Sequence, residues 1–373
     1  MKVGIISMQR VFNYGSFMQA YSLKKNIEML GDETEFVDYH TGEPLITENV
    51  SGNSKLDIKE AIGKLIPPYI NSKKVMNEYW NNMGRCEERY VGKYLPMIGV
   101  TSEKKYNTKE DVIVIGSDEV FNCVQSNPDV GFSPELFGAH RNAKRVISYA
   151  GSFGNTTINE INRHGKKEEL TRYFNDFSDI SVRDKNSVSI IQELTGKTPE
   201  YHVDPVFLYD YENEIPKKTP QKDYIVVYAY QCRLKKSECR EISRFAKKHN
   251  KKIVCLCGPQ RYLKGYVAAD PFEVLWYIKN ADFVITDTFH GSVFSIKFNR
   301  QFAVLLRKGN GKVYGNNEKL FDLLRRFGVE DQVVNGRKID DVIFNKIDYK
   351  SINEQIKRER ENSLNYLKKA IGE

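Results

Sequence analysis

The stretch Thr286-Asp287-Thr288-Phe289-His290-Gly291 follows the apolar run Ala281-Asp282-Phe283-Val284-Ile285 and precedes what reads as a helix. A histidine at a strand-to-helix turn is either a hydrogen-bonded packing group or a proton-transfer group, because imidazole takes up and releases a proton near neutrality. The position at a strand end, in an Asp-Thr-x-His-Gly context, favours proton transfer by His290. Arg183 ends another short run, Asp179–Val182. Its planar fork suits a carboxylate or a phosphate, and the competing reading is a structural ion pair with its neighbour Asp184. Gly15-Ser16 and Gly291-Ser292 each open a helical pattern, and free N–H groups at a helix start favour an anion. Asn13-Tyr14-Gly15 also has the composition of an ordinary turn.

These residues need elements that bring them together. Residues 2–8 form an apolar run. Phe17, Tyr21, Leu23, Ile27 and Leu30 follow at helical spacing, Gly31 stops the helix, and residues 34–39 read as a strand. A strand–helix–strand start implies a parallel sheet with right-handed crossovers. Further strands are expected at 111–116, 145–150 and 179–183, then at 224–230, 252–258, 282–287 and 302–306. Asp270-Pro271 forms a helix cap and first position. The alternation predicts an α/β protein with two doubly wound Rossmann-like domains: 1–208 with a helical insertion at about 41–110, and 224–349. Residues 209–223, polar and with no apolar period, read as the linker. A helix over 350–373 would cross back to the first domain. In open parallel sheets ligands bind beyond the carboxyl ends of strands. That end gathers Asn13, Tyr14, Gly15, Ser16, Ser117, Asp118, Asp184, Asp287 and Thr288 as cleft and acceptor candidates. Within the insertion, two helices broken by Pro67-Pro68 would cover the sheet.

The chain has 373 residues with 40% hydrophobic and 28% charged, a composition of folded proteins that exceeds one ordinary core. Lys and Arg exceed Asp and Glu, giving a net charge of +8, which suits anionic partners or a solvated surface. No nucleic-acid-binding signature accompanies it. No apolar run is long enough to span a bilayer, and the start MKVGIISM lacks the features of a signal peptide, so a cytoplasmic protein is expected. The six cysteines lack a disulfide-scaffold spacing. Cys255 and Cys257 would share a strand face, but no further ligand completes a metal set, so buried thiols are expected. Neither a Walker loop nor Gly-x-Gly-x-x-Gly occurs.

Six segments together resemble the polysaccharide pyruvyl transferase family: NYGSFMQAYSL (13–23), IGSDEVFN (115–122), SYAGSFG (148–154), ISVRDKNS (180–187), VDPVFL (203–208) and ITDTFHGSVFS (285–295). The resemblance implies a GT-B-like pair of domains facing a cleft and transfer of pyruvate from phosphoenolpyruvate to a sugar of a surface-polysaccharide precursor. The product would be a cyclic ketal, with phosphate released and no cofactor or metal needed. It implies that His290 transfers the proton and that Arg183 holds the donor, with Gly291 and Ser292 at a helix start. Family members carry an arginine two residues before the histidine; here that position is Thr288. Arg307 and Lys308, after the last strand, are the cations expected to replace it. The acceptor would suit the basic surface if it were lipid-linked at the inner face of the membrane. Two alternatives stay open: a glycosyltransferase using a nucleotide sugar, and a non-catalytic sugar-binding protein.

Overall fold

The structure is a computed structural model and describes residues 1–46, 84, 86–106, 109–125, 127–139, 143–219, 222–307 and 317–372. Two parallel sheets organise it. The first has the order β2-β1-β3-β4-β5-β6, formed by Lys2–Ile6 (β1), Glu33–Phe36 (β2), Val112–Asp118 (β3), Arg145–Gly151 (β4), Ser181–Val182 (β5) and Glu200–Tyr201 (β6). The second has the order β10-β9-β7-β8, formed by Tyr224–Ala229 (β7), Lys252–Cys257 (β8), Phe283–Thr286 (β9) and Gln301–Val304 (β10). The helices that bear on the site are Tyr14–Met29 (α1), Lys185–Thr195 (α2), Lys236–Lys248 (α3), Pro271–Asn280 (α4), Phe289–Lys297 (α5), Asn317–Arg326 (α6) and Tyr349–Ile371 (α7). The α/β alternation expected from the sequence is present in both halves.

Parallel strands are joined by crossovers, so both faces of each sheet are covered and central strands are apolar throughout. Alternation then decides which core each residue enters. On β3, Val112 and Val114 face an inner core while Ile113 and Ile115 face an outer one. On β7, Tyr224, Val226 and Tyr228 enter the same inner core, and Ile225 and Val227 enter a third cluster. The inner core therefore runs without interruption from one sheet to the other. Cys255 and Cys257 part company: Cys255 packs in the outer cluster of the second sheet, whereas Cys257 packs against the inner core. The strict alternation expected of them fails at the strand end, where Cys257 adopts a φ of 71°.

The segment read as a featureless polar linker is anchored by aromatics. Tyr211 is buried, its hydroxyl donates to the Met18 carbonyl at 3.2 Å, and its ring lies 5.2 Å from that of Tyr209. The Lys297 ammonium donates to the Tyr209 carbonyl at 2.7 Å and stands 5.3 Å above the Tyr211 ring. Two tyrosines and the buried Ile215 are too widely spaced to show an apolar period, yet they fasten the crossing to α1 and α5. The second crossing is α7. The Tyr349 hydroxyl at its start donates to the Arg300 carbonyl. Tyr366 near its end donates to the Ser148 carbonyl on β4 at 2.8 Å. Most of the expected helical insertion, including Pro67-Pro68, lies outside the described residues. Its described end, Tyr90–Met97, is an irregular helix whose Tyr90 ring packs 4.9 Å from Phe12 and 5.7 Å from Phe17.

Candidate active site

The carboxyl ends of both sheets meet at a cavity of about 330 Å³. Asn13, Ser16, Asp118 and Arg183 line it from the first half, and Tyr230, Arg233, Phe289, His290 and Lys319 from the second. Arg183, buried at the end of β5, donates Nη1 to Asp204 Oδ2 at 2.7 Å and Nη2 to Asp118 Oδ1 at 3.3 Å. Asp204 Oδ2 in turn lies 3.5 Å from His290 Nε2, which makes no hydrogen bond of good geometry. One carboxylate thus faces both the guanidinium and the imidazole. Asp118 accepts the Ser16 hydroxyl at 2.5 Å and adopts a φ of 87° at the end of β3, a conformation that costs energy for a residue with a Cβ.

Burial alone would raise both carboxyls. For Asp204, His290 and Arg183 outweigh it, and for Asp118, Arg183 and His290 do so, leaving both below the usual carboxylate range. Burial pulls the Lys319 ammonium down to about 8, with Asp118 acting against it. Lys319 also pairs with Glu119 across the cleft. The Phe289 ring lies 4.5 Å from the Arg183 guanidinium and 5.8 Å from the Lys319 ammonium, an apolar face between two cations.

The two glycine-containing motifs meet here. A Cβ on Gly15 would lie 2.1 Å from His290 Nδ1, so only glycine lets the start of α1 approach the imidazole this closely. The Asn13 side chain caps α1 through Oδ1, accepting from Gly15 N at 2.7 Å, and its Nδ2 donates to the Tyr230 hydroxyl at 3.1 Å. The Tyr14 hydroxyl reaches the Ala269 carbonyl at 2.7 Å and the ring lines an adjoining cavity.

Several expected roles are corrected by the geometry. The N–H groups expected to bind an anion are engaged within the chain. Asn13 takes those of Gly15 and Ser16, and Thr288 Oγ1 accepts from Gly291 N at 2.9 Å. Capping satisfies the donors that a helix start otherwise leaves open. Ser292 is buried, and its hydroxyl donates to the Thr288 carbonyl at 3.3 Å; neither it nor Gly291 lines the cavity. Asp184 forms no ion pair with Arg183. It caps α2 at Ser187 N and accepts the Ser152 hydroxyl at 2.6 Å, and burial raises its carboxyl. Ser117 is buried behind the cavity, its hydroxyl on the Ala150 carbonyl at 2.9 Å. Arg307 does not line the cavity: it pairs with Asp287 at 3.0 Å and Glu238 at 2.8 Å. Asp287 lies 3.3 Å from Arg233 Nε, so the fully buried carboxylate links Arg307 to a cation that does face the cavity. Lys308 lies outside the described residues.

Asp204, Arg233 and Lys319 were not among the expected site residues. Asp204 lies three residues beyond the end of β6, on the carboxyl side of the sheet, and that was a usable signal. Lys319 sits in an amphipathic helix, where a lysine reads as solvated surface, and Arg233 sits in a loop without regular pattern. Among the described residues no cluster of His, Cys, Asp or Glu is arranged to hold a metal ion, and no helix is long and apolar enough to cross a membrane.

A histidine, carboxylates and three cations thus converge on one cleft between two parallel α/β units. The chain belongs to the polysaccharide pyruvyl transferase family, whose profile matches residues 13–309. No curated protein sequence matches it. Among solved structures, it is similar to S. aureus MnaA with UDP (TM-score 0.42, 10% identity, 98% of this chain and 97% of that one). It is also similar to the glycosyltransferase SnogD from Streptomyces nogalater (TM-score 0.43, 11% identity, 99% of each chain). Likenesses this distant carry nothing about the site.

Proposed function

We propose that the protein transfers pyruvate from phosphoenolpyruvate to two hydroxyls of a saccharide, forming a cyclic ketal and releasing phosphate. The observation that carries this reading is the convergence of Arg183, Arg233 and Lys319 on a cavity that also contains His290, in a chain of the pyruvyl transferase family. The donor bears a carboxylate and a phosphate, groups that guanidinium and ammonium donors bind through charge-assisted hydrogen bonds. Arg233, braced by Asp287 and 5.2 Å from the Tyr230 ring, supplies the cation that family members carry where this chain has Thr288.

In the proposed reaction the His290 imidazolium gives its proton to C3 of the enol, and C2 becomes electrophilic. One sugar hydroxyl adds to C2, and its proton returns to the neutral imidazole. The second hydroxyl then attacks C2, the bond to the phosphate oxygen breaks, and phosphate leaves with the electron pair and that hydroxyl's proton. Asp204 Oδ2, 3.5 Å from Nε2, orients the ring toward the reacting atoms, and acid–base assistance of this kind contributes about 10²–10⁴-fold. Cations fixed before the donor arrives stabilise the charge on the departing phosphate.

The test is ligand-induced stabilisation. Millimolar phosphoenolpyruvate is expected to raise the Tm, since a hundredfold excess over Kd stabilises by roughly 2.7 kcal/mol, while nucleotide sugars leave it unmoved. The shift should shrink in Arg183→Ala and persist in His290→Gln. A response to a nucleotide sugar alone would replace this reading with glycosyl transfer. Silence with every ligand, repeated with candidate sugars present, would favour a non-catalytic binding protein.

A further inference from the structure

A second cavity, of about 290 Å³, adjoins the cationic one and shares Asn13 and Tyr230 with it. Its remaining wall is Phe12, Tyr14, Cys86, Gln231, Cys257 and Tyr266. The two cavities differ in chemistry. The first is lined by arginines, lysine, carboxylates and histidine; the second has four aromatic rings, two amides and two thiols, with no acidic or basic side chain among the described residues that line it. Burial raises the Cys86 thiol and pushes the Cys257 thiol up to about 12, so both are uncharged at neutral pH.

Two of the rings are held open to solvent. Phe12 is 39% exposed and Tyr230 38%, although both residue types lose free energy by facing water. Their positions are fixed. Phe12 packs edge-on against Tyr90 at 4.9 Å and Tyr14 at 6.2 Å, and the Tyr230 hydroxyl is held by Asn13. Rigid aromatic faces beside amide groups suit a ligand with an apolar face and a hydroxyl-bearing rim. A pyranose has that surface: axial C–H groups on one face and hydroxyls around the edge.

We propose that this cavity is the acceptor subsite and that it takes an uncharged pyranose ring, stacked on the aromatic wall and hydrogen-bonded by Gln231 and Asn13. The inference rests on the saccharide-acceptor reading above and adds a selectivity to it. A uronic acid would bring a carboxylate to a wall whose lining, among the described residues, holds no cation, the Arg89 guanidinium beside Cys86 being paired with Asp270 at 2.7 Å, and burying such a charge unpaired is costly. Asn13 and Tyr230 form the boundary between the subsites, so a hydroxyl on the ring edge nearest them is the one presented to the donor.

Saturation-transfer NMR on the full chain tests this, with methyl β-D-glucopyranoside, β-D-galactopyranoside, α-D-mannopyranoside and methyl β-D-glucuronide as probes, each with and without phosphoenolpyruvate. At least one neutral glycoside is expected to receive saturation, strongest at the axial protons of one face, and the glucuronide to receive little. Phe12→Ala, at an exposed position, should weaken neutral binding roughly two- to tenfold, and Gln231→Arg should shift the preference toward the glucuronide. Glucuronide binding equal to the neutral probes, no binding by any neutral probe, or indifference to Phe12→Ala would overturn the assignment. The phosphoenolpyruvate Tm shift, measured on the same samples, separates the two failures. Donor stabilisation without glycoside binding sinks the subsite alone, and glycoside binding without donor stabilisation sinks the pyruvyl donor reading alone.

Discussion

Arg183 and Arg307 invite comparison. Each is buried at the carboxyl end of a sheet, and each is paired with two carboxylates. Arg183 shares Asp204 with His290 and Asp118 with Ser16, both cavity residues. Arg307 shares Asp287 with Arg233, and its other partner, Glu238, lies on α3. One arginine forms part of the cavity wall; the other stands a layer behind and braces a wall residue. Residue type and strand-end position are the same, so the role is set by what the shared carboxylate touches next. The two clusters also titrate in opposite directions. Arginine and histidine outweigh burial at Asp118 and Asp204, whereas burial outweighs Arg233 and Arg307 at Asp287 and raises it.

The largest effect should come from the group that only the first cluster contacts. His290→Gln is expected to cut phosphate release by about 10²-fold or more with little change in Tm. Near wild-type turnover in the folded variant would remove the reason for treating the Arg183 cluster as catalytic. A smaller effect should divide the two arginines. Arg183→Lys, which replaces a two-pronged donor by a point charge, is expected to raise the KM for phosphoenolpyruvate about tenfold. Arg307→Lys should leave that KM within about twofold, and Arg307→Ala should cost about 3 kcal/mol of stability, or roughly 6–12 °C in Tm. If Arg307→Lys moved KM as much as Arg183→Lys, the distinction between wall and brace would collapse.

The smallest effect is in acid. Asp118 and Asp204, lowered in the fold, contribute stability that is present above the unfolded value of about 3.9 and lost as pH falls through their folded values. Asp287, raised in the fold, binds its proton more tightly when folded, so acidification toward about 3.9 restores stability there. Denaturant titrations between about pH 6 and pH 3 should show a shallower acid loss for Asp204→Asn than for the wild type, and a steeper one for Asp287→Asn. Equal slopes would mean that the two clusters do not differ electrostatically.

The central strands were legible because their apolar runs, separated by helical periods, leave little choice of architecture, whereas the two-residue β6, Glu200–Tyr201, carries no such run and was not expected. His290 was legible for the same reason: the strand before it and the helix after it are both strongly patterned. The pairings were not. Arg183 meets Asp204 across 21 residues and Asp118 across 65, and nothing local distinguishes them from the adjacent Asp184, which turns inward to cap α2. The helix starts looked open because a sequence shows that Asn13 and Thr288 can cap but not that they do. Tyr209, Tyr211 and Ile215 looked like linker because their burial comes from partners on α1, α4 and α5, far away in the chain.

The chain passes between the halves twice, once through the aromatic-anchored segment at 209–215 and once through α7. Two covalent crossings restrict how the halves can be placed relative to one another more than a single one would, and the core they share runs from one sheet to the other. The alignment of a site assembled from both halves is kept by the route of the backbone as well as by the side chains that meet there.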